Sequence, residues 1–244
     1  MTWDPSQYNR FAMEREQPFW DLASLLQPTA EPPNIVDLGC GDGRLTAALH
    51  ARLGARSTLG IDSSSSMLAG APPNIQGLRF APGDLGTWTG DRYDIVFANA
   101  SLQWVGSHES VLRRWRDSLA PDGQLALQVP TNADHPSHTV LAAMAPEFPD
   151  PVATNVLRVE QYAETLHELG FGSQHARMQV YGHLLESSSD VVEWMRGTSL
   201  TRLGQRGRDP AFIEEYRRRL LAVIGDVSPY FYAFKRVLIW GQLA

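Results

Sequence analysis

The sequence has a single cysteine, Cys40, among its 244 residues, so no disulfide can close within the chain. A reducing cytoplasmic setting is therefore expected. No run of 18 apolar residues is present, and the first residues lack the basic-then-apolar layout of a secretory leader, so no membrane association is expected. There is no basic surplus either. Lys and Arg number 21 against 27 Asp and Glu, a formal charge of −6 that argues against a nucleic-acid partner. Internal repeats and low-complexity tracts are missing, the run Ser63 to Ser66 being the only biased stretch. Clustered metal ligands are missing too. His135 and His138 have a metal-like spacing, but Pro136 interrupts the helix face between them and no Cys or acid cluster accompanies them, so no metal is expected.

What is present is an ordinary globular composition, 43% hydrophobic and 20% charged, on a chain long enough to bury a large core. It centres on one stretch, Asn34 to Thr46. An apolar run with Ile35, Val36 and Leu38 stops at Gly39, Gly41 and Gly43, and a helical pattern starts at Leu45. The pattern predicts strand, tight loop, helix. Glycines at such a loop let backbone lie directly against a ligand. The spacing is G-x-G-x-G, not the G-x-G-x-x-G that favours a diphosphate, and Asp37 precedes the first glycine by two residues. An acid there favours a cationic ligand such as a sulfonium bearing an amino group, the chemistry of S-adenosylmethionine. Cys40, between two glycines, reads as a small residue packed under the loop. A second apolar run, Ser57 to Ile61, ends in Asp62, placed to accept hydrogen bonds from ribose hydroxyls. Asp84 follows a third run, where an adenine amino group can be met.

These segments resemble the class I S-adenosylmethionine-dependent methyltransferases. Asp37-Leu38-Gly39-Cys40-Gly41-Asp42-Gly43 matches the first motif, Gly60-Ile61-Asp62 the second, Gly83-Asp84-Leu85 the third and Tyr93 to Asn99 the fourth. The resemblance implies an α/β Rossmann-like fold with a seven-stranded, mostly parallel sheet in the order 3-2-1-4-5-7-6, closed by an antiparallel hairpin. It also implies S-adenosylmethionine as cofactor and S-adenosylhomocysteine as product. Cofactor contacts are expected from Asp37, Gly39, Cys40, Gly41, Asp62, Ser63, Met67, Asp84, Leu85, Asn99, Ala100, Gln103 and Trp104. Trp104 suits either the core or the frame of the cofactor and acceptor, and Gln103 either solvent or the same frame.

Along the chain, alternation of apolar runs and helical patterns predicts strands near 34–38, 57–61, 78–81, 93–98 and 123–129, with helices near 44–53, 64–70 and 108–119. The core that binds the cofactor is expected over 34–130. A helix is predicted over Pro18 to Leu26, and residues 1–33 serve equally as packing on the sheet or as a lid. Helices are predicted at 137–145 and 159–169, a strand at 174–182, an Arg-rich helical insertion at 187–225 forming a cap, and a last strand from Tyr230 to Trp240. All of this is expected within one domain, as a monomer or weak homodimer. Arg113, Arg114 and Arg116 on the amphipathic helix after the fourth strand read as a solvated face.

A closer resemblance, over nearly the whole chain, is to the trans-aconitate 2-methyltransferase family. It is carried by Glu14-Arg15, Gly60 to Ser64, Phe97 to Trp104, Val129-Pro130-x-Asn132 and Phe234-x-Arg236-x-x-Ile239. That family esterifies a carboxylate of a small tricarboxylic acid, which implies an anionic small-molecule acceptor, no catalytic base, and arginines to bind it. The implied acceptor residues are Tyr8, Arg15, Gln103, Trp104, Asn132, His138, Arg202 and Arg236. The family cap reads T-G-L-R-P-W where this chain has Thr198-Ser199-Leu200-Thr201-Arg202-Leu203, and the family proline before the terminal arginine is Lys235 here. Other readings of the same cofactor loop are methylation of a hydroxyl, amine or carbon, a non-catalytic protein that binds S-adenosylmethionine, and, disfavoured by Asp37 and the glycine spacing, a nicotinamide oxidoreductase.

Overall fold

The computed structural model describes residues 12–244, with side chains from residue 16 onward. Seven strands form one sheet: β1 (Asn34–Leu38), β2 (Ser57–Asp62), β3 (Leu78–Pro82), β4 (Tyr93–Asn99), β5 (Leu119–Pro130), β6 (Phe171–Leu185) and β7 (Tyr230–Leu243). Their order is β3-β2-β1-β4-β5-β7-β6, as the resemblance to the class I methyltransferases implies. The first five run parallel, while β7 pairs antiparallel with both β5 and β6. Helices α1 (Ala12–Ala23), α2 (Arg44–Leu53), α3 (Ser65–Leu68), α4 (His108–Asp117), α5 (Pro136–Met144), α6 (Pro151–Asn155), α7 (Val159–Glu168), α8 (Asp190–Arg196) and α9 (Pro210–Ile224) surround it. None of the described helices is long and apolar enough to cross a membrane.

The central strands are apolar on both faces because both are covered. Ile35, Ile95 and Phe97 face Phe19 and Leu22 of α1 and Leu49 of α2. Val36, Val96 and Ala98 face Val111, Leu112 and Trp115 of α4 and Tyr162 and Leu166 of α7. A third cluster joins α5, α8 and α9 to Tyr232 and Phe234 at the start of β7. Each large side chain so buried contributes roughly 1.5–3 kcal/mol.

Element boundaries differ from the sequence expectation for identifiable reasons. The first helix is already formed at Ala12, where the described residues begin, takes Pro18 inside it, and ends at Ala23 instead of Leu26, since Leu25 and Leu26 donate to carbonyls only three residues back. The helix expected at 64–70 is confined to Ser65–Leu68, tightening into similar short turns at Gly70 and Ala71 before Pro72. The helix expected to reach 119 stops at Asp117, and the fifth strand begins at Leu119. The hairpin strands are longer than predicted. Within the Pro-rich separator, α6 forms because Pro151 fits a first turn and Asp150 caps it, accepting from Val152 N at 3.0 Å. The insertion at 187–225 is two helices joined by two short 3-10 turns, Thr201–Leu203 and Arg206–Arg208. The basic face of α4 is only partly solvated: Arg113 is exposed, but Arg114 donates to Gly86 O and Arg116 to Leu169 O.

Candidate active site

The strand ends on either side of the point where the order reverses, between β1 and β4, enclose a cavity of about 460 Å³. Open α/β sheets bind ligands at that crevice. Its floor is the glycine loop after β1. Gly39 has φ +84°, and a Cβ there would lie 2.2 Å from Ser101 Cβ, so only glycine lets the β1 and β4 loops cross. Ser101 completes the crossing by donating to Leu38 O at 2.6 Å.

The loop amides are already engaged. Gly39 N and Cys40 N both donate to Ile61 O, at 2.7 and 3.0 Å, and Gly41 N donates to Asp62 Oδ2 at 2.9 Å. A diphosphate would need those donors, so this loop is no anion cradle. Asp62 also accepts from Ser64 N through Oδ1 at 2.8 Å, which fixes its carboxylate in the wall. Each carboxylate oxygen has a second lone pair, enough for a pair of ribose hydroxyls. Asp84 accepts from Gly86 N through Oδ1 at 2.7 Å, and its loop is pinned to α4 by Trp115 Nε1, which donates to Leu85 O at 3.1 Å.

The wall from β4 is the segment Asn99 to Val105. Gln103 Nε2 donates to Ala100 O at 2.8 Å, while Gln103 Oε1 is buried without a partner among the described residues. It is an acceptor left over at the edge of the cavity. The opposite wall brings together Pro130, Trp194, Thr198, Phe234 and Arg236. Arg236 is 5% exposed, lies 4.9 Å above the Phe234 ring, and donates to Gln128 Oε1 at 3.0 Å. An arginine only donates, so Gln128 presents its oxygen to Arg236 and its nitrogen to Asn99 Oδ1, 2.8 Å away. One buried amide thereby ties the two walls together.

Of the predicted cofactor residues, Gly39, Gly41, Asp62, Ser63, Met67, Asp84, Leu85, Asn99, Ala100, Gln103 and Trp104 line the cavity. Asp37 and Cys40 do not. Asp37 is buried behind the loop, accepting from Thr46 Oγ1 at 2.6 Å. Burial, more than the neighbouring Asp62 charge, raises its pKa to about 7. Burial also pushes the Cys40 thiol well up, which suits packing and not nucleophilic attack.

Of the predicted acceptor residues, only Gln103, Trp104 and Arg236 line the cavity among those described. Asn132 is buried between Tyr232 OH and Lys235 N, at 3.4 and 3.2 Å. His138 is spent on Asp150, Nδ1 to Oδ2 at 2.6 Å, and Arg202 donates to Ser199 O at 3.2 Å and to Pro149 O. Each is bound to a partner that the linear sequence does not place beside it, Asn132 to β7, His138 to the N-cap of α6, and Arg202 of the insertion to the residue before that cap. Tyr8 lies outside the described residues, and Arg15 is described only as backbone of α1. Sequence reasoning missed Ser64, Ser101, Val105, Gln128, Trp194, Thr198 and Phe234. For Gln128 a signal existed: a glutamine inside the apolar run Leu125 to Val129 of a central strand.

The methyltransferase domain family matches residues 10–206. The chain belongs to that family. This methyltransferase is 40% identical to a trans-aconitate 2-methyltransferase of Deinococcus radiodurans, over 98% of its own length and 97% of the relative's. It is 38% identical to one of Streptomyces avermitilis, over 90% and 88%. Among solved structures, the YcgJ protein of Bacillus subtilis superposes with a TM-score of 0.65 at 14% identity, covering 93% of this chain and 98% of that one. Phosphoethanolamine N-methyltransferase 2 of Haemonchus contortus, solved with S-adenosyl-L-methionine, gives 0.59 at 15% identity, over 98% of this chain and 58% of that one. These likenesses carry the fold. The enzyme is an S-adenosylmethionine-dependent methyltransferase, and its glycine floor, two wall carboxylates and leftover Gln103 acceptor fit a hydroxyl-bearing, cationic nucleoside.

Proposed function

We propose that this methyltransferase esterifies a carboxylate of a small polycarboxylic acid of the trans-aconitate class, releasing a methyl ester and S-adenosylhomocysteine. The observation that carries the reading is Arg236, a buried guanidinium in the wall facing the glycine loop, on an enzyme whose net charge would otherwise repel an anion. The names of the 40% and 38% identical relatives support the same acceptor class.

The cofactor supplies an electrophilic methyl on a sulfonium: the S–C bond breaks as an O–C bond forms, and both reacting charges are neutralised. The remaining work belongs to the chain. Asp62 and Asp84 hold the nucleoside end, and Asn99, Gln103 and Trp104 line the wall between the two substrates. Arg236 draws in a carboxylate and orients it, and Trp194 and Phe234 keep water from the reacting atoms. A carboxylate is ionised at neutral pH, so no general base is needed. His135, half-buried and held neutral because desolvation lowers its pKa to about 4, accepts from Ser137 N at the start of α5.

The test is S-adenosylhomocysteine release with trans-aconitate, other di- and tricarboxylates, catechols and amines. Turnover is expected with the acids, and Arg236→Ala should raise the acceptor KM about tenfold or more while leaving S-adenosylhomocysteine affinity within about twofold. Turnover confined to hydroxyl or amine acceptors would overturn the proposal.

A further inference from the structure

Gln103 and Trp104 sit on a 3-10 turn, Leu102–Trp104, too short to hold its own shape. Two side chains from elsewhere in the sequence hold it. Asn155, the last residue of α6, donates from Nδ2 to Gln103 O at 3.0 Å. His108, the first residue of α4, contacts Leu102 O through Nε2 at 2.9 Å. A carbonyl only accepts, so Nε2 carries the proton, and Nδ1 then accepts from Tyr162 OH at 2.6 Å. Tyr162 is fully buried, and its ring stacks on His108 with centroids 5.8 Å apart. Burial lowers the His108 pKa, which keeps this neutral tautomer in place.

The Asn155 tether is itself anchored in the insertion. Asp150 caps α6 and bonds His138 of α5, and Arg202 donates to the carbonyl of Pro149, next in sequence to Asp150. A continuous path thus runs from the acceptor-side insertion to the turn that lines the cofactor cavity.

We propose that Asn155 and the His108–Tyr162 pair are positioning residues for cofactor binding, holding the Gln103–Trp104 turn at its place on the cavity wall. They touch neither substrate and act through Gln103. The inference rests on the enzyme being a methyltransferase and is independent of which acceptor it takes.

Asn155 is partly exposed, so Asn155→Ala removes the tether with no core side chain lost. The variant is expected to keep the wild-type melting temperature while the KM for S-adenosylmethionine and the Kd for S-adenosylhomocysteine both rise about fivefold. In a Gln103→Ala background, which keeps the main-chain carbonyl that Asn155 holds, the same change should add less than about twofold, because the side chain it positions is already gone. For the other tether, His108→Gln keeps a donor for Leu102 O and should retain most of the affinity that His108→Leu loses. An Asn155→Ala enzyme with unchanged cofactor KM and Kd would overturn the proposal. So would an equal loss in the Gln103→Ala background, which would make the effect a remote structural one.

Discussion

A carboxylate that accepts from the backbone on both oxygens is a rigid one, and Asp62 does so toward Gly41 and Ser64. Its ligand-facing lone pairs are therefore already oriented before binding. Asp62→Ala should weaken S-adenosylhomocysteine binding by about 1.5–3 kcal/mol, the worth of charge-assisted hydrogen bonds, and unchanged affinity by calorimetry would remove it from the ribose role. Asp37 predicts something different. Its pKa rises from 3.8 unfolded to about 7 folded, so between about pH 4 and 7 the unfolded chain has released a proton that the folded one retains. Stability from this residue is present at the acid end, lost as pH rises across that window, and flat above it. Thermal melts of Asp37→Asn, whose amide oxygen still accepts from Thr46, should show that downward component removed. A wild-type pH slope in the variant would contradict the assignment. The sequence placed Asp37 beside the glycines but could not show which way it points. The pleat turns it toward Thr46 and away from the cavity. Asn132, His138 and Arg202 lie off the cavity lining for a related reason: their partners are Tyr232, Asp150 and Pro149, and each pairing depends on long-range packing that the linear sequence does not display.

Among the elements, α4 does more than cover the sheet. Its first residue holds the Gln103 turn, and its second half holds the Asp84 loop through Trp115 and Arg114. Trp115 is fully buried against β1, β4 and β5. Trp115→Phe keeps most of that packing but removes the indole N–H, leaving Leu85 O short of a donor. The expected cost is about 1–3 kcal/mol in urea denaturation, against about 3–5 for Trp115→Ala. Equal losses for the two would show that packing alone matters at this position. The five parallel strands were legible because strands covered on both faces carry apolar runs, and Gly39, Asp62 and Gly83 mark where the first three end. The ends of helices were less so. Pro18 inside α1 and the tightened turns after α3 and α1 are settled by which carbonyl each N–H finds, a choice that periodicity does not record. Helix α6 was legible only in retrospect, as Asp150-Pro151, an N-cap followed by a first-turn proline.

At the scale of the whole molecule, the sheet and the insertion divide the labour. The reversal of strand order between β1 and β4 opens the crevice, and the glycine floor with Asp62 and Asp84 lines it with the groups proposed to hold the nucleoside. The hairpin β6–β7 carries Phe234 and Arg236 to the far wall, where α8 adds Trp194. Gln128 joins the halves, bonding Asn99 on one side and Arg236 on the other, so the β4 wall and the β7 wall are held in one register. The glycine loop could be read from the sequence because it is a local pattern, and the order of strands came with the resemblance to the class I methyltransferases. The wall proposed to hold the acceptor could not, since it is assembled from β5, β7 and the insertion, residues 130 to 236, by long-range packing. The central claim is that this cavity transfers a methyl group to a carboxylate oxygen. Incubation with methyl-labelled S-adenosylmethionine and trans-aconitate, followed by mild alkali, measures it most directly. The account predicts label in a product that alkali releases as methanol, the mark of an ester. Label that stays fixed after alkali, as in an ether, amine or carbon-bound methyl, would contradict it.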